Sequence, residues 1–322
     1  MCYHATAVEV PSWGFGTLCP LSQPRPRSTA RRCPMVPKFR EVHRPQSLDE
    51  ALALLARPDV RTVPLAGGTA LLAHPDPRVE AVVDLQDLPL ADIRVEEAHG
   101  GLGLGAMVRL QALVEDDAVR AFAGGLIAQG ARESAPLLTR NRATVGGCVA
   151  VADPLDPLLL ALLALRARVR YRTPDPREQP LDQFLEEREE LLGKGALITE
   201  VVMAQPGKWT GTALLKVART PSDRPILCGA ACLSLDRSDA CQSVTVAMGG
   251  LGARPARLHG IEALLAGVPL SEEAIADAVG RIRWPEAAPS DVRASGQYRL
   301  EVAPVLLRRL LWTAWHRAVR AA

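Results

Sequence analysis

Two glycine pairs are the residues of this chain best suited to hold a charged ligand. Ala66-Gly67-Gly68-Thr69 follows the apolar run Val63-Pro64-Leu65, and Thr144-Val145-Gly146-Gly147 follows Arg140-Asn141-Arg142. Glycine has no Cβ and tolerates positive φ, so each pair can turn the backbone sharply and aim N–H groups at a bound anion. Two such turns brought together would cradle a pyrophosphate. Taken singly, either pair is also an ordinary turn, because Gly-Gly punctuates loops of every kind. Neither spacing is a standard nucleotide fingerprint, since there is no Gly-x-x-x-x-Gly-Lys-Ser/Thr and no Gly-x-Gly-x-x-Gly opening a helix. The nearest approach, Gly101-Leu102-Gly103-Leu104-Gly105-Ala106, alternates strictly and predicts a strand with no phosphate-facing helix directly after it.

Other reactive groupings are sparse. The seven cysteines are an odd number and make no disulfide framework in a chain of this length. Cys228, Cys232 and Cys241 raise the question of a metal or cluster site, but Cys228-Gly-Ala-Ala-Cys232-Leu-Ser-Leu alternates like a buried strand and no fourth ligand sits at a suitable spacing. No nucleophile–base pair, convergent carboxylate pair or metal-ligand cluster can be picked out.

The elements that would position the glycine pairs follow from periodicity. Ser47, with Glu50 three residues on, opens a helix carrying Leu48, Leu52 and Leu55 on one face. Val60 to Leu65 reads as a strand into the first pair, and Val82 to Leu85 as another. Helices are expected near Gln111 to Glu115, Gly124 to Glu133 and Leu158 to Leu165, with Asp156-Pro157 as cap and first residue of the last. Arg168 to Arg172 and Leu197 to Met203 read as strands flanking a short acidic helix within Gln179 to Glu190. Gln205-Pro206-Gly207 is the expected domain boundary. Beyond it come three strands, Leu214 to Ala218, Cys228 to Leu235 and Ser243 to Leu251, a helix capped by Ser271, and an amphipathic helix from about Val302 to Val319.

A length of 322 residues suits two domains, and 48% hydrophobic content is enough to build their cores. A net charge of +2 argues against a nucleic-acid partner. The longest apolar run, Leu158 to Leu165, falls well short of the ~18 residues needed to span a bilayer, and the start lacks a signal-peptide pattern, so a cytoplasmic location is expected. Residues 1–34, rich in proline and scattered arginine, read as disordered or as an upstream extension, with Met35 an alternative start.

Five blocks in order resemble one family: Phe39 to Pro45 with Ser47 to Ala51, Pro64 to Thr69, Arg140 to Gly147, Lys216 to Arg219 with Ser222-Asp223, and Pro289 to Ser295. The resemblance, from about Val36 to Ala318, is to the FAD-binding medium subunits of the molybdenum hydroxylases, the family of carbon monoxide dehydrogenase and bacterial xanthine dehydrogenase. It implies an α+β fold: a two-lobed PCMH-type FAD-binding domain at residues 35–206 (lobes about 35–87 and 88–206), then a C-terminal domain at 207–322 with a three-stranded sheet backed by helices. It also implies FAD between the lobes, touched by Leu65, Ala66, Gly67, Gly68, Thr69, Ala70 and Leu71 and by Thr144, Val145, Gly146, Gly147 and Cys148. Ser134, Asp156, Ile198 and Lys216 match further cofactor positions. Asp156 also reads as no more than a helix cap, and Lys216 as an exposed strand lysine.

Three departures stand out: Cys148 where the family has asparagine, Pro157 where it has aspartate, and Ala70 where aspartate is frequent. The implied function is electron transfer, from [2Fe–2S] clusters on a small partner subunit to NAD+, a quinone or oxygen. A large molybdopterin-binding subunit would hydroxylate the substrate. The departures motivate a rival, a flavin-free structural adaptor of the same complex. A stand-alone flavin reductase or oxidase fits less well, because no substrate-directed acid or base accompanies the site.

Overall fold

The computed structural model describes residues 39–96 and 100–321, and the expectations for residues 1–34 lie outside them. The first sheet is parallel, with strands β1 (Glu41–His43), β2 (Thr62–Leu65) and β3 (Ala81–Asp84) in the order β1-β3-β2. β3 is paired on both sides and entirely buried, so its sequence is an apolar run rather than an alternation. Helix α1 (Leu48–Leu55) crosses between β1 and β2 and buries Ala51, Leu52 and Leu55. The Ser47 Oγ accepts the Glu50 N–H at 3.2 Å, while the Glu50 carboxylate accepts the Gln46 N–H at 2.8 Å, a capping box displaced by one residue. The first glycine pair therefore leaves the carboxyl end of a parallel strand, the end at which α/β sheets present their ligand loops.

The second sheet is antiparallel: β4 (Ile93–Glu96), β5 (Gly101–Gly105), β6 (Arg168–Thr173), β7 (Asp175–Pro180) and β8 (Leu197–Met203), ordered β4-β5-β8-β6-β7. The glycine–leucine alternation of β5 now has a cause. Leu102 and Leu104 enter the core, while a Cβ on Gly103 would stand 2.6 Å from the Glu200 carboxylate. That buried carboxylate takes both Arg94 at 2.7 Å and Arg170 at 3.0 Å. β7 is a strand that periodicity does not announce. Its two prolines are tolerable on an edge, and Glu178 ties it to Arg168 and Arg170 of β6.

Helices α2 (Leu110–Glu115), α3 (Asp117–Ala121), α4 (Leu126–Ser134), α5 (Leu137–Arg140), α6 (Val145–Val151), α7 (Pro157–Ala164) and α8 (Leu181–Gly193) belong to this region. All eight residues of α7 are buried, because one core cluster holds the helix together with Val169 and Val201 of the second sheet and Cys228, Ala230 and Ala247 of the third. A helix covered all round is apolar all round. Gly130 of α4 lets the two helices close, since a Cβ there would meet Leu158 Cα at 3.0 Å.

The third sheet has the three expected strands, β9 (Thr210–Val217), β10 (Leu227–Leu235) and β11 (Cys241–Gly249), and adds a two-residue edge strand, β12 (Ala256–Arg257). Helices α9 (His259–Leu265), α10 (Glu272–Gly280) and α11 (Gly296–Ala321) complete the chain, with the Ser271 Oγ capping α10 at Ala274 N–H, 3.1 Å. α11 begins six residues before the expected Val302 and carries Pro304 internally. The Pro289 to Ser295 block explains the early start. Ser290 accepts the Gly296 N–H at 2.8 Å, and Asp291 holds the buried Arg299 guanidinium at 2.9 Å. α11 lies directly on β9 at Gly211, where a Cβ would stand 2.0 Å from the Ala314 carbonyl oxygen. Gly211→Ala should therefore lift α11 from the sheet and lower stability by about 1–3 kcal/mol, measured by urea unfolding.

Candidate functional site

The carboxyl end of β2 and the start of α6 meet at a cavity of about 270 Å³. Leu65, Ala66, Gly67, Gly68, Thr69, Ala70 and Leu71 form one wall; Thr144, Gly147 and Cys148 lie in another, and Ser134 and Asp156 also line it. The volume falls just below the roughly 300–1,000 Å³ of sites that engulf a drug-sized ligand, so it suits the middle of an extended molecule.

The two glycines of the first pair do different work. Gly68 is left-handed, with φ of +72°, and turns the chain. Gly67 permits contact between the walls: a Cβ there would lie 1.8 Å from the Arg142 carbonyl oxygen. Among the described residues, the backbone N–H groups of Gly67, Gly68, Thr69 and Ala70 have no protein acceptor. Consecutive free N–H groups around a left-handed residue make an anion-binding concavity.

The second pair is not a positive-φ bend, and this corrects the sequence reading. Gly146 and Gly147 lie in the first turn of α6, which Thr144 caps through Oγ1 to the Gly147 N–H at 3.2 Å. Its amides are already engaged: Val145 N–H with Val108 O at 3.0 Å, Gly146 N–H with Ala106 O at 2.8 Å, and Cys148 N–H with Thr144 O at 3.0 Å. Val145 and Gly146 are buried behind the wall, where Gly146 has no Cβ because Ala106 is in the way at 2.7 Å. Helix capping and close packing account for Val145 and Gly146, while Thr144, Gly147 and Cys148 line the cavity.

The structure leaves Ile198 and Lys216 outside the cavity lining. Ile198 is a core residue of β8, and Lys216 of β9 pairs with Glu133 at 3.6 Å. The lining contains no lysine or arginine. Asp153, which sequence reasoning passed over, does line it; its carboxylate accepts the Leu155 N–H at 3.0 Å and pairs with Arg224 from the loop between β9 and β10. Asp153-Pro154 is a turn signature that could have marked the aspartate. Nothing local in sequence marks the arginine, which arrives from 71 residues away.

Asp156 fills both of its expected places. It caps α7, with Oδ1 accepting the Leu158 N–H at 3.0 Å and the Ser134 hydroxyl, and it lines the cavity. Burial pushes its carboxyl above the ordinary range, against the opposing pull of Ser134 and the Leu158 N–H. Burial, then the neighbouring Asp156 charge, pushes the Cys148 thiol up well beyond a reactive value.

Residues 37–205 match the family described as the FAD binding domain in molybdopterin dehydrogenase, and residues 213–314 that described as the CO dehydrogenase flavoprotein C-terminal domain. The chain is 28% identical to the glyceraldehyde dehydrogenase medium chain of Sulfolobus acidocaldarius, covering 84% of this chain and 96% of that one. It is 30% identical to the 6-hydroxypseudooxynicotine dehydrogenase complex subunit alpha of Paenarthrobacter nicotinovorans, over 84% and 93%. Its fold superposes on a solved chain of carbon monoxide dehydrogenase from Hydrogenophaga pseudoflava with a TM-score of 0.78 at 28% identity, covering 88% of this chain and 99% of that chain.

The Thr144 cap gives a direct test of how the cavity wall is built. Thr144→Ala removes the acceptor of the Gly147 N–H and should lower stability by about 1 kcal/mol, read from the urea midpoint of the chain without ligand.

Proposed function

The chain belongs to the FAD-binding medium subunits of the molybdenum hydroxylases, and from that premise we propose that it is the electron-transfer subunit of such a complex. On this reading it stands between [2Fe–2S] clusters on a small partner subunit and an external acceptor, NAD+, a quinone or oxygen. A large molybdopterin-binding subunit carries out hydroxylation, so the hydroxylated substrate does not meet this chain. Bound FAD supplies chemistry that no side chain offers, accepting electrons singly and releasing them in pairs.

The observation that carries the reading is the free N–H set of Gly67, Gly68, Thr69 and Ala70 at the mouth of a parallel strand. These groups fit the cofactor's diphosphate, because they supply fixed dipoles without needing a counter-charge from lysine or arginine. Thr69 and Thr144 offer hydroxyls to phosphate or ribityl oxygens, and Ser134, Gly147, Cys148 and Asp156 border the remainder. With Cys148 in place of an amide, contact along that wall falls to backbone and shape. Thr144, occupied by its capping bond, positions α6 as much as it meets ligand. Val145 and Gly146 support that wall from behind, while Ile198 and Lys216 lie outside the cavity lining.

Purified chain titrated with FAD should take up one equivalent, quenching flavin fluorescence. Gly67→Ala, which forces the Arg142 carbonyl away, should weaken that binding by about tenfold or more while leaving the far-ultraviolet circular dichroism unchanged. A chain that stays colourless at saturating FAD would favour the adaptor reading instead.

A further inference from the structure

The lining of the cavity carries two carboxylates, Asp153 and Asp156, and no lysine or arginine. Asp156 is held within the wall by the Ser134 hydroxyl and the Leu158 N–H. Asp153 is served differently. One of its oxygens accepts the Leu155 N–H at 3.0 Å, and the other takes the Nη2 of Arg224 from the loop between β9 and β10. That guanidinium is not part of the lining, so it acts on the cavity through Asp153.

The pair is more than a meeting of two surface side chains, because the fold seats both ends on one frame. Arg299 of α11, 1% exposed, donates through Nη1 to the carbonyl oxygens of Ile226, two residues after Arg224, and of Gly250, at the turn after β11, while its Nη2 holds Asp291 at 2.9 Å. On the other side, the end of β11 rests on the segment that carries the aspartate. A Cβ on Gly249 would stand 1.7 Å from the Pro154 carbonyl oxygen, and one on Gly250 2.9 Å from Leu155 Cδ2. Arg224 and Asp153 are therefore each within two residues of backbone packed on the same turn.

Side-chain exposures of 54% for Arg224 and 27% for Asp153 keep the pair in contact with water, where an ion pair adds little to stability. Its effect falls on the ligand instead. The N–H groups of Gly67, Gly68, Thr69 and Ala70 can receive a diphosphate, but an unpaired carboxylate in the same cavity would repel it. We propose that Arg224 is an affinity determinant supplied to the cofactor site by the third sheet, neutralising Asp153 so that a diphosphate-bearing dinucleotide can enter. The proposal rests on the FAD reading above.

FAD titrations of the full-length chain, followed by quenching of flavin fluorescence at low ionic strength, test this. Arg224→Gln should raise the dissociation constant about tenfold, while the urea midpoint without ligand stays near that of the unaltered chain. Added salt should narrow the gap, since a screened carboxylate repels less. Combining Arg224→Gln with Asp153→Asn should restore binding to within about threefold of the unaltered chain, because asparagine still accepts the Leu155 N–H and leaves no charge to neutralise. An arginine that touched the phosphates itself, or one that merely braced the loop, would not be rescued in this way. Equal affinity of Arg224→Gln and the unaltered chain, or a double variant as weak as Arg224→Gln, overturns the proposal and leaves the FAD reading standing. Should the double variant not fold, the salt series decides, and a gap that salt leaves unchanged overturns the proposal. An unaltered chain that binds no FAD at any concentration overturns the FAD reading, and the proposal with it.

Discussion

Close approach of backbone to backbone at Gly67 is the constraint on which the site depends. Any side chain there would drive the strand-end turn away from the Arg142 carbonyl and open the cavity between them. With the Cβ absent, the turn presses against the segment leading into α6, and Gly68 can swing to positive φ, so that four successive amides have no protein partner among the described residues. Successive N–H groups left this way can together receive an anion. On the proposed reading, the diphosphate of FAD is the group they receive.

The rest of the fold keeps that approach in register. β3, paired and buried on both sides, fixes where β2 ends. α7, buried along its whole length between two sheets, fixes where Asp156 and the start of the helix fall, and Gly130 lets α4 deliver Ser134 beside them. The third sheet is not a remote appendage. Its Cys228, Ala230 and Ala247 belong to the same core cluster as α7, and its β9–β10 loop sends Arg224 to Asp153 at the cavity wall. Arg166 adds a second link: it holds the left-handed position after α7, usually given to glycine, and donates to Thr245 of β11 at 2.8 Å.

Much of this was legible in the sequence, wherever a feature is local. The alternation of Gly101 to Gly105, the Ser47, Ser271 and Asp156 caps and the apolar run of α7 each follow from residues within one turn or one strand. The second glycine pair was misread as a bend because Thr144-Val145-Gly146-Gly147 serves equally well as a capped helix start, and the choice is made by Ala106 and Val108, distant residues that take its first amides. Lys216 could not be placed from sequence, since its partner Glu133 lies 83 positions away. β7 was invisible because an edge strand held by ion pairs needs no apolar period.

Amide hydrogen exchange of the full-length chain, followed residue by residue with and without FAD, tests the central claim most directly. The account predicts that FAD slows exchange at Gly67, Gly68, Thr69 and Ala70 by about tenfold or more, while Val145, Gly146 and Cys148, already bonded within the protein, change little. Protection centred on Val145 to Cys148, with the amides of Gly67 to Ala70 left exchanging freely, would contradict it.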